Sequence, residues 1–174
     1  MALSDRMVEK INDQVAAEIY SAYYYLGMAL AFDKMGLKVF SQRFFQQYEE
    51  EMMHAMKFLK YLMTVGAKAE LKEIPRPPQE WDTPEQIVQA AYEHELYVTS
   101  RINELVALAE EEKDYATRSF LQWYVDEQVE EESSMLELVE LLKLAGPERA
   151  FMAEQRVAQM MQSAGSAGSE QPQE

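Results

Sequence analysis

The sequence contains no cysteine, which removes disulfides and thiolate-ligated metals from the available chemistry. Glycine and proline number six each in 174 residues and fall at a few places, so they act as punctuation between longer regular segments. No run of about 18 consecutive apolar residues occurs, and no membrane span is expected. No strand pattern is visible. Basic residues are scarce, 16 against 31 acidic ones, for a net charge of −15. Such a surface repels nucleic-acid phosphate and anionic lipid, so neither nucleic acid nor membrane is expected as a partner. It suits cations, although acidity also keeps a protein soluble. The first ten residues, Met1 to Lys10, are charged and lack the apolar segment of a secretory signal, so a cytoplasmic location is the expectation.

What is present is helical. The chain is long enough for one domain with a sizeable core, and 48% of it is hydrophobic. Ser4 can cap a helix over 5–34, with Gly36 just past its end. A second helix over 38–65 stops at Gly66. An irregular stretch over 67–82 follows and carries Pro75, Pro77 and Pro78. The third helix opens with Thr83 as N-cap, Pro84 at its first position and Gln86 completing a capping box, and runs to Glu112. Asp114 can cap a fourth helix ending at Ala145, before Gly146 and Pro147. A short fifth helix is expected over 148–161, and the Gly/Ser/Gln-rich remainder, 162–174, is expected to be disordered.

Connection lengths constrain the topology. The first two helices, and likewise the third and fourth, are joined by a few residues and must be antiparallel neighbours. The joint between the second and third helices is far longer. About 16 extended residues reach roughly 53–58 Å, against about 42 Å for a 28-residue helix. The chain can therefore travel the whole bundle and leave those two helices parallel. The expected fold is an all-α, four-helix bundle with one long crossover and a short fifth helix, spanning 1–161.

Each long helix has an inner stripe at 3/4 spacing that is apolar except near its middle. The interruptions are Glu18 on the first helix, Glu51 and His54 on the second, Glu95 on the third, and Gln128 and Glu131 on the fourth. Adjacent packing brings them to one level. Four buried glutamates in one layer would be costly and would hold one another protonated. A salt-bridge layer would need lysine or arginine on the same stripes, and none is there. Two divalent cations would balance the four carboxylates, with His54 and Gln128 as neutral ligands. The spacing repeats at 77 residues: Glu18 maps to Glu95, Glu51 to Gln128 and His54 to Glu131. This is the layout of a two-metal carboxylate bundle, in which two helices give one ligand each and two give i, i+3 pairs. Glu50, Glu127 and Glu130 lie one residue off these positions and could hold a third metal. Oxygen ligands with one imidazole suit Fe(II) or Mn(II) better than structural zinc, and spacing does not separate those two. Tyr25 lies two turns beyond Glu18 on the same stripe. It is either core packing, a hydrogen-bond donor to a ligand carboxylate, or an electron donor during oxygen reduction. Trp123 reads as packing, and His94 is rotated off the stripe.

Four separated segments, NDQVAAEIYSAYYYL, EEEMMHAMKF, YEHE and FLQWYVDEQVEEE, closely resemble those of prokaryotic non-haem ferritins, and the resemblance runs from about Ser4 to about Met161. It implies the ferritin-like bundle and a homo-oligomeric shell of 24 subunits with the fifth helix lining its four-fold axis. The implied activity is ferroxidase and iron storage: Fe(II) is oxidised by dioxygen or hydrogen peroxide, and ferric mineral is deposited inside the shell. By this resemblance Glu18, Glu51, His54 and Glu95 are the first ligands of two irons per subunit. Gln128 and Glu131 serve the second iron, Glu50, Glu127 and Glu130 a third, and Tyr25 stands beside the centre in the catalytic role. Where animal ferritins carry channel acids near the start of the fourth helix, this sequence reads TRSFL, with Arg118 and Leu121, so the resemblance does not carry that entry route over to this chain. Met52 stands where haem-binding bacterioferritins have their haem ligand, but the fourth helix lacks their Glu-x-x-His, and no haem is expected. A rubrerythrin-like oxidase would add a cysteine-ligated iron module, which this sequence cannot supply.

Overall fold

The computed structural model describes residues 3–146 and 149–167, the last five of them by backbone alone. Five helices follow in order: α1 Asp5–Lys34, α2 Lys38–Thr64, α3 Pro84–Glu111, α4 Tyr115–Ala145 and α5 Ala150–Ala167. No strand occurs among the described residues.

The helix ends follow from capping chemistry. Ser4 accepts from the Met7 amide, Thr83 from Gln86 and Asp114 from Thr117, each satisfying a first-turn donor that the helix itself cannot. The capping box at Thr83 differs in one detail: the Gln86 carboxamide oxygen accepts from the Asp82 amide, one residue earlier than the motif requires. Helices α1, α2 and α3 all close with a residue in the left-handed region: Gly36 (φ 82°), Gly66 (φ 72°) and Lys113 (φ 56°). The paired bonds from the following amides, Leu37 to Phe32 and Ala67 to Leu62, mark Schellman closures. Lys113 does the same without glycine, with Asp114 N–H reaching Ala109 O at 2.8 Å.

Side-chain pairings give the topology directly. Between α1 and α3 they descend in register: Ser4 with Glu112, Arg6 with Glu111, Lys10 with Glu104, Gln14 with Arg101 and Ser21 with His94. Between α2 and α4, Arg43 meets Ser134, Gln47 meets Glu131 and Tyr61 meets Thr117. Both pairs are antiparallel, so α2 and α3 run parallel, and the segment 65–83 spans the bundle along α1. Asn12 holds its start, donating to Lys68 O at 2.9 Å and accepting from the Glu70 amide at 2.7 Å. Near its end a Cβ on Gly27 would stand 3.4 Å from Pro78 O, which marks how closely the crossover lies on α1. Trp81 packs there against Tyr24.

The apolar interior is two clusters. One contains Tyr25, Phe32, Phe40, Phe44, Ile87 and Leu138, and α5 covers it through Ala153 and Val157. The other contains Met7, Ile11, Phe58, Leu62, Ile102, Leu121 and Tyr124. Helix α5 begins at Ala150 and continues to Ala167, beyond the boundary at Met161 read from the sequence. Extension of a formed helix needs no new nucleus, and alanine recurs in this stretch. Residues 168–174, part of the expected disordered tail, lie outside the described residues.

Candidate metal centre

Polar side chains occupy the level between the two clusters. Exposure there is 1% for Glu18, 2% for Glu51, 1% for His54, 0% for Glu95, 4% for Gln128 and 5% for Glu131. Helix spacing places them: Glu51 and His54 are one turn apart on α2, as are Gln128 and Glu131 on α4. Ligand atoms of Glu18, Glu51 and His54 lie within 4.8 Å of one another, as do those of His54, Glu127 and Glu131. Glu127, placed by sequence in the flanking set, thus also reaches the central histidine.

Glu95 is held differently. Its carboxylate accepts from the Tyr25 hydroxyl and, at 3.1 Å, from Gln128 Nε2. Gln128 also donates to Thr99 Oγ1 at 3.2 Å, and Thr99 donates to Glu132 at 2.5 Å. Glu50 and Glu130 stand at the rim. Glu50 lies 3.5 Å from Arg43 Nη1, and its charge and that of Glu130 both act on Glu127.

Two glutamines that the stripe reading does not single out orient the carboxylates. Gln14 Nε2 donates to Glu18 Oε1 at 2.8 Å, and Gln47 Nε2 donates to Glu131 Oε2 at 2.7 Å. The signal for both was their position one turn before a stripe glutamate. Arg43, its side chain 13% exposed, is a nearby cation; it comes from the flank of α2 and favours the charged form of Glu131. His94, rotated off the stripe, bonds to Ser21 Oγ at 2.7 Å among Tyr20, Tyr24 and Tyr25. Trp123 meets His54 edge-on at 5.3 Å between ring centroids, and Lys57 Nζ stands 3.3 Å above its ring.

Burial dominates the electrostatics. It drives the Glu18 carboxyl well above its usual range, with repulsion from Glu51 adding to it. Glu51 rises likewise, by burial and then by repulsion from Glu95 and Glu131. Glu131 is pushed up to about 8 by burial and by Glu95. Burial also raises Glu95, an effect that the hydrogen bonds from Tyr25 and Gln128 partly offset. Tyr25 stays a neutral donor because burial and the neighbouring carboxylates oppose its ionisation.

Three buried ligand atoms, Glu18 Oε2, Glu51 Oε2 and His54 Nε2, have no hydrogen-bond partner among the described residues. Buried polar atoms are seldom left so, and here all three belong to residues whose ligand atoms converge. A divalent cation held among these residues would supply missing partners and remove the like-charge repulsion. The donor set, carboxylate oxygen with one imidazole, fits a redox-active divalent metal of the Fe(II) type.

Known proteins resemble this chain along most of its length. Residues 8–145 match the ferritin family, described as a ferritin-like domain. A bacterial non-heme ferritin of Bacteroides fragilis is 34% identical over 157 residues, covering 90% of this chain and 99% of the relative. A probable bacterial non-heme ferritin-like protein of Haemophilus influenzae is 38% identical over 144 residues, 83% of this chain and 87% of the relative. Among solved structures, an open-pore ferritin of the archaeon Archaeoglobus fulgidus superposes with a TM-score of 0.87 at 48% identity, covering 90% of this chain and 98% of that one.

Proposed function

This chain belongs to the ferritin family, and from that premise we propose that it stores iron by oxidising Fe(II) at the centre of its bundle and passing ferric iron to a mineral. Iron is the substrate. The observation that carries the reading is the convergence of three buried ligand side chains, Glu18, Glu51 and His54, each with an atom that no hydrogen bond satisfies among the described residues.

Glu51 adjoins Glu18 on one side and feels Glu95 and Glu131 on the other, so it would serve both ions. One ferrous ion takes Glu18, Glu51 and His54; the second takes Glu51, Glu95, Gln128 and Glu131. Binding displaces the protons that burial keeps on the carboxyls. With both ions bound, four carboxylates offset four positive charges, so the pair enters an apolar interior without net charge. Each ion gives up one electron. Dioxygen takes both with two protons and leaves as hydrogen peroxide; with peroxide as the oxidant, two waters form. Holding both donors at one point turns a two-electron reduction into a local event.

Loss of an electron raises each ion's charge, and the excess favours departure toward more carboxylate. Glu127 reaches the central His54, and Glu50 and Glu130 lie beyond it at the rim, so the three form a graded exit and a third iron position. Tyr25 donates to Glu95 and positions that ligand; it is also the side chain placed to give an electron when only one ferrous ion is present. Assembly into a 24-subunit shell with α5 at the four-fold axis supplies the cavity for the mineral.

Aerobic Fe(II) addition tests the reading. In a Glu51→Ala/His54→Ala double variant of unchanged assembly mass, the initial oxidation rate should fall at least about tenfold. Equal rates in variant and wild type would place the chemistry elsewhere.

A further inference from the structure

Tyr25, Tyr124 and Trp123 border the centre; Tyr124 gives its hydroxyl proton to the His54 carbonyl at 2.8 Å, and the surroundings of Tyr25 and Trp123 differ in one respect that bears on electron loss. Tyr25, wholly buried, gives its hydroxyl proton to a hydrogen bond with Glu95. An electron leaving Tyr25 can therefore be accompanied by its proton, which Glu95 is placed to take. Trp123 lies on the other side, edge-on to His54 at 5.3 Å and to Tyr124 at 4.9 Å. It is only partly buried, and the Lys57 ammonium stands 3.3 Å above its ring centroid, with Glu127 nearby. The face of a neutral indole attracts a cation. An indole that has lost an electron is itself a cation, and at that distance it repels Lys57 strongly. The contact thus stabilises Trp123 before oxidation and opposes its oxidation.

We propose that Lys57 is a positioning residue which, by its charge over Trp123, keeps one-electron oxidation away from the indole and directs it to Tyr25. The role rests on the ferroxidase reading and refines it. It matters when a single ferrous ion meets peroxide. Reduction of hydrogen peroxide to two waters takes two electrons, and iron gives one. Tyr25 gives the other together with its proton, and one further proton comes from solution. A second ferrous ion with one proton then restores the tyrosine and leaves as ferric iron, so the cycle closes without damage. The same electron taken from Trp123 would leave a partly exposed indole radical open to oxygen addition.

Three variants separate charge from coverage. Lys57→Met keeps an unbranched chain over the ring without charge, Lys57→Arg keeps the charge, and Lys57→Gln shortens and neutralises it. Each is exposed in one arm to Fe(II) with hydrogen peroxide, and in a second, metal-free arm to a one-electron oxidant generated by light. Oxygen addition at Trp123 is read by peptide mass spectrometry against Trp81, the other tryptophan, as internal reference, and the radical formed is identified by electron paramagnetic resonance. The expected result is a Trp123-to-Trp81 oxidation ratio several-fold higher in Lys57→Met and Lys57→Gln than in wild type, with Lys57→Arg unchanged and a tryptophanyl signal appearing beside the tyrosyl one. A ratio equal in Lys57→Met and wild type in the metal-free arm overturns the proposal, since coverage alone would then protect the ring. Absence of Fe(II) oxidation in wild type would instead overturn the ferroxidase reading, and the metal-free arm would still decide what Lys57 does to Trp123.

Discussion

Glu131, held at about 8 by burial and by Glu95, carries its proton at neutral pH in the metal-free protein. Its unfolded counterpart loses that proton near the ordinary carboxyl value of 4.5. The folded state therefore binds more protons between those values, and metal-free stability should fall as pH rises through that window. Glu18 and Glu51, raised in the same direction, add to the trend. Thermal melts of metal-free protein should thus show a lower midpoint at pH 8 than at pH 5, by several degrees, since about 1 kcal/mol moves a domain of this size about 2–4 °C. Calorimetry of Co(II) binding at neutral pH should show proton release, and affinity should rise with pH toward 8. A neutral side chain at the same position removes the conflict: Glu51→Gln should stabilise the metal-free protein by about 1–3 kcal/mol while weakening metal binding. Denaturant unfolding with and without Co(II) checks both halves; a variant less stable than wild type without metal would contradict the assignment of Glu51 as a strained, ligand-ready carboxyl.

At the scale of helices and connections, the crossover depends on few contacts. Asn12 makes two bonds to it, to Lys68 O and from the Glu70 amide. Asn12→Ala should cost about 1–3 kcal/mol, and hydrogen exchange should quicken at the Glu70 amide while the centres of α1 and α2 stay protected. The helices themselves were legible in the sequence because their punctuation is local: Ser4, Thr83 and Asp114 cap where they stand, and Gly36 and Gly66 close where they stand. The crossover was legible because length alone decides whether a chain can return. The stripe pattern likewise placed Glu18, Glu51, His54, Glu95 and Glu131 at one level. Contacts between helices were not legible in this way. That Gln47 serves Glu131 rather than only its helix neighbour Glu51, or that Glu127 turns toward His54, depends on helix rotation and rotamer, which a single sequence does not fix. Arg43 was invisible for the same reason: its charge reaches the site from off the stripe.

At the scale of the whole molecule, the acidic run Glu110, Glu111 and Glu112 is partnered although Glu110 and Glu111 stay exposed. Each accepts from a partner, Arg118, Arg6 and Ser4 respectively, and Leu121 is buried in the core. Large apolar side chains are exposed on the other end, with Leu144 88%, Phe151 65% and Met152 62% exposed. Assembly into a shell would cover such surfaces. Phe151→Asp should therefore lower the assembled mass measured by analytical ultracentrifugation, with the helical content of the subunit retained; an unchanged mass would show that α5 is not needed for assembly. The central claim concerns the bundle's interior, and anomalous diffraction at the iron edge from crystals soaked with Fe(II) under anaerobic conditions addresses it most directly. The expected map has two peaks per chain, one among Glu18, Glu51 and His54 and one on the side of Glu95, Gln128 and Glu131. A map with density only at surface carboxylates, and none between the four helices, would contradict it.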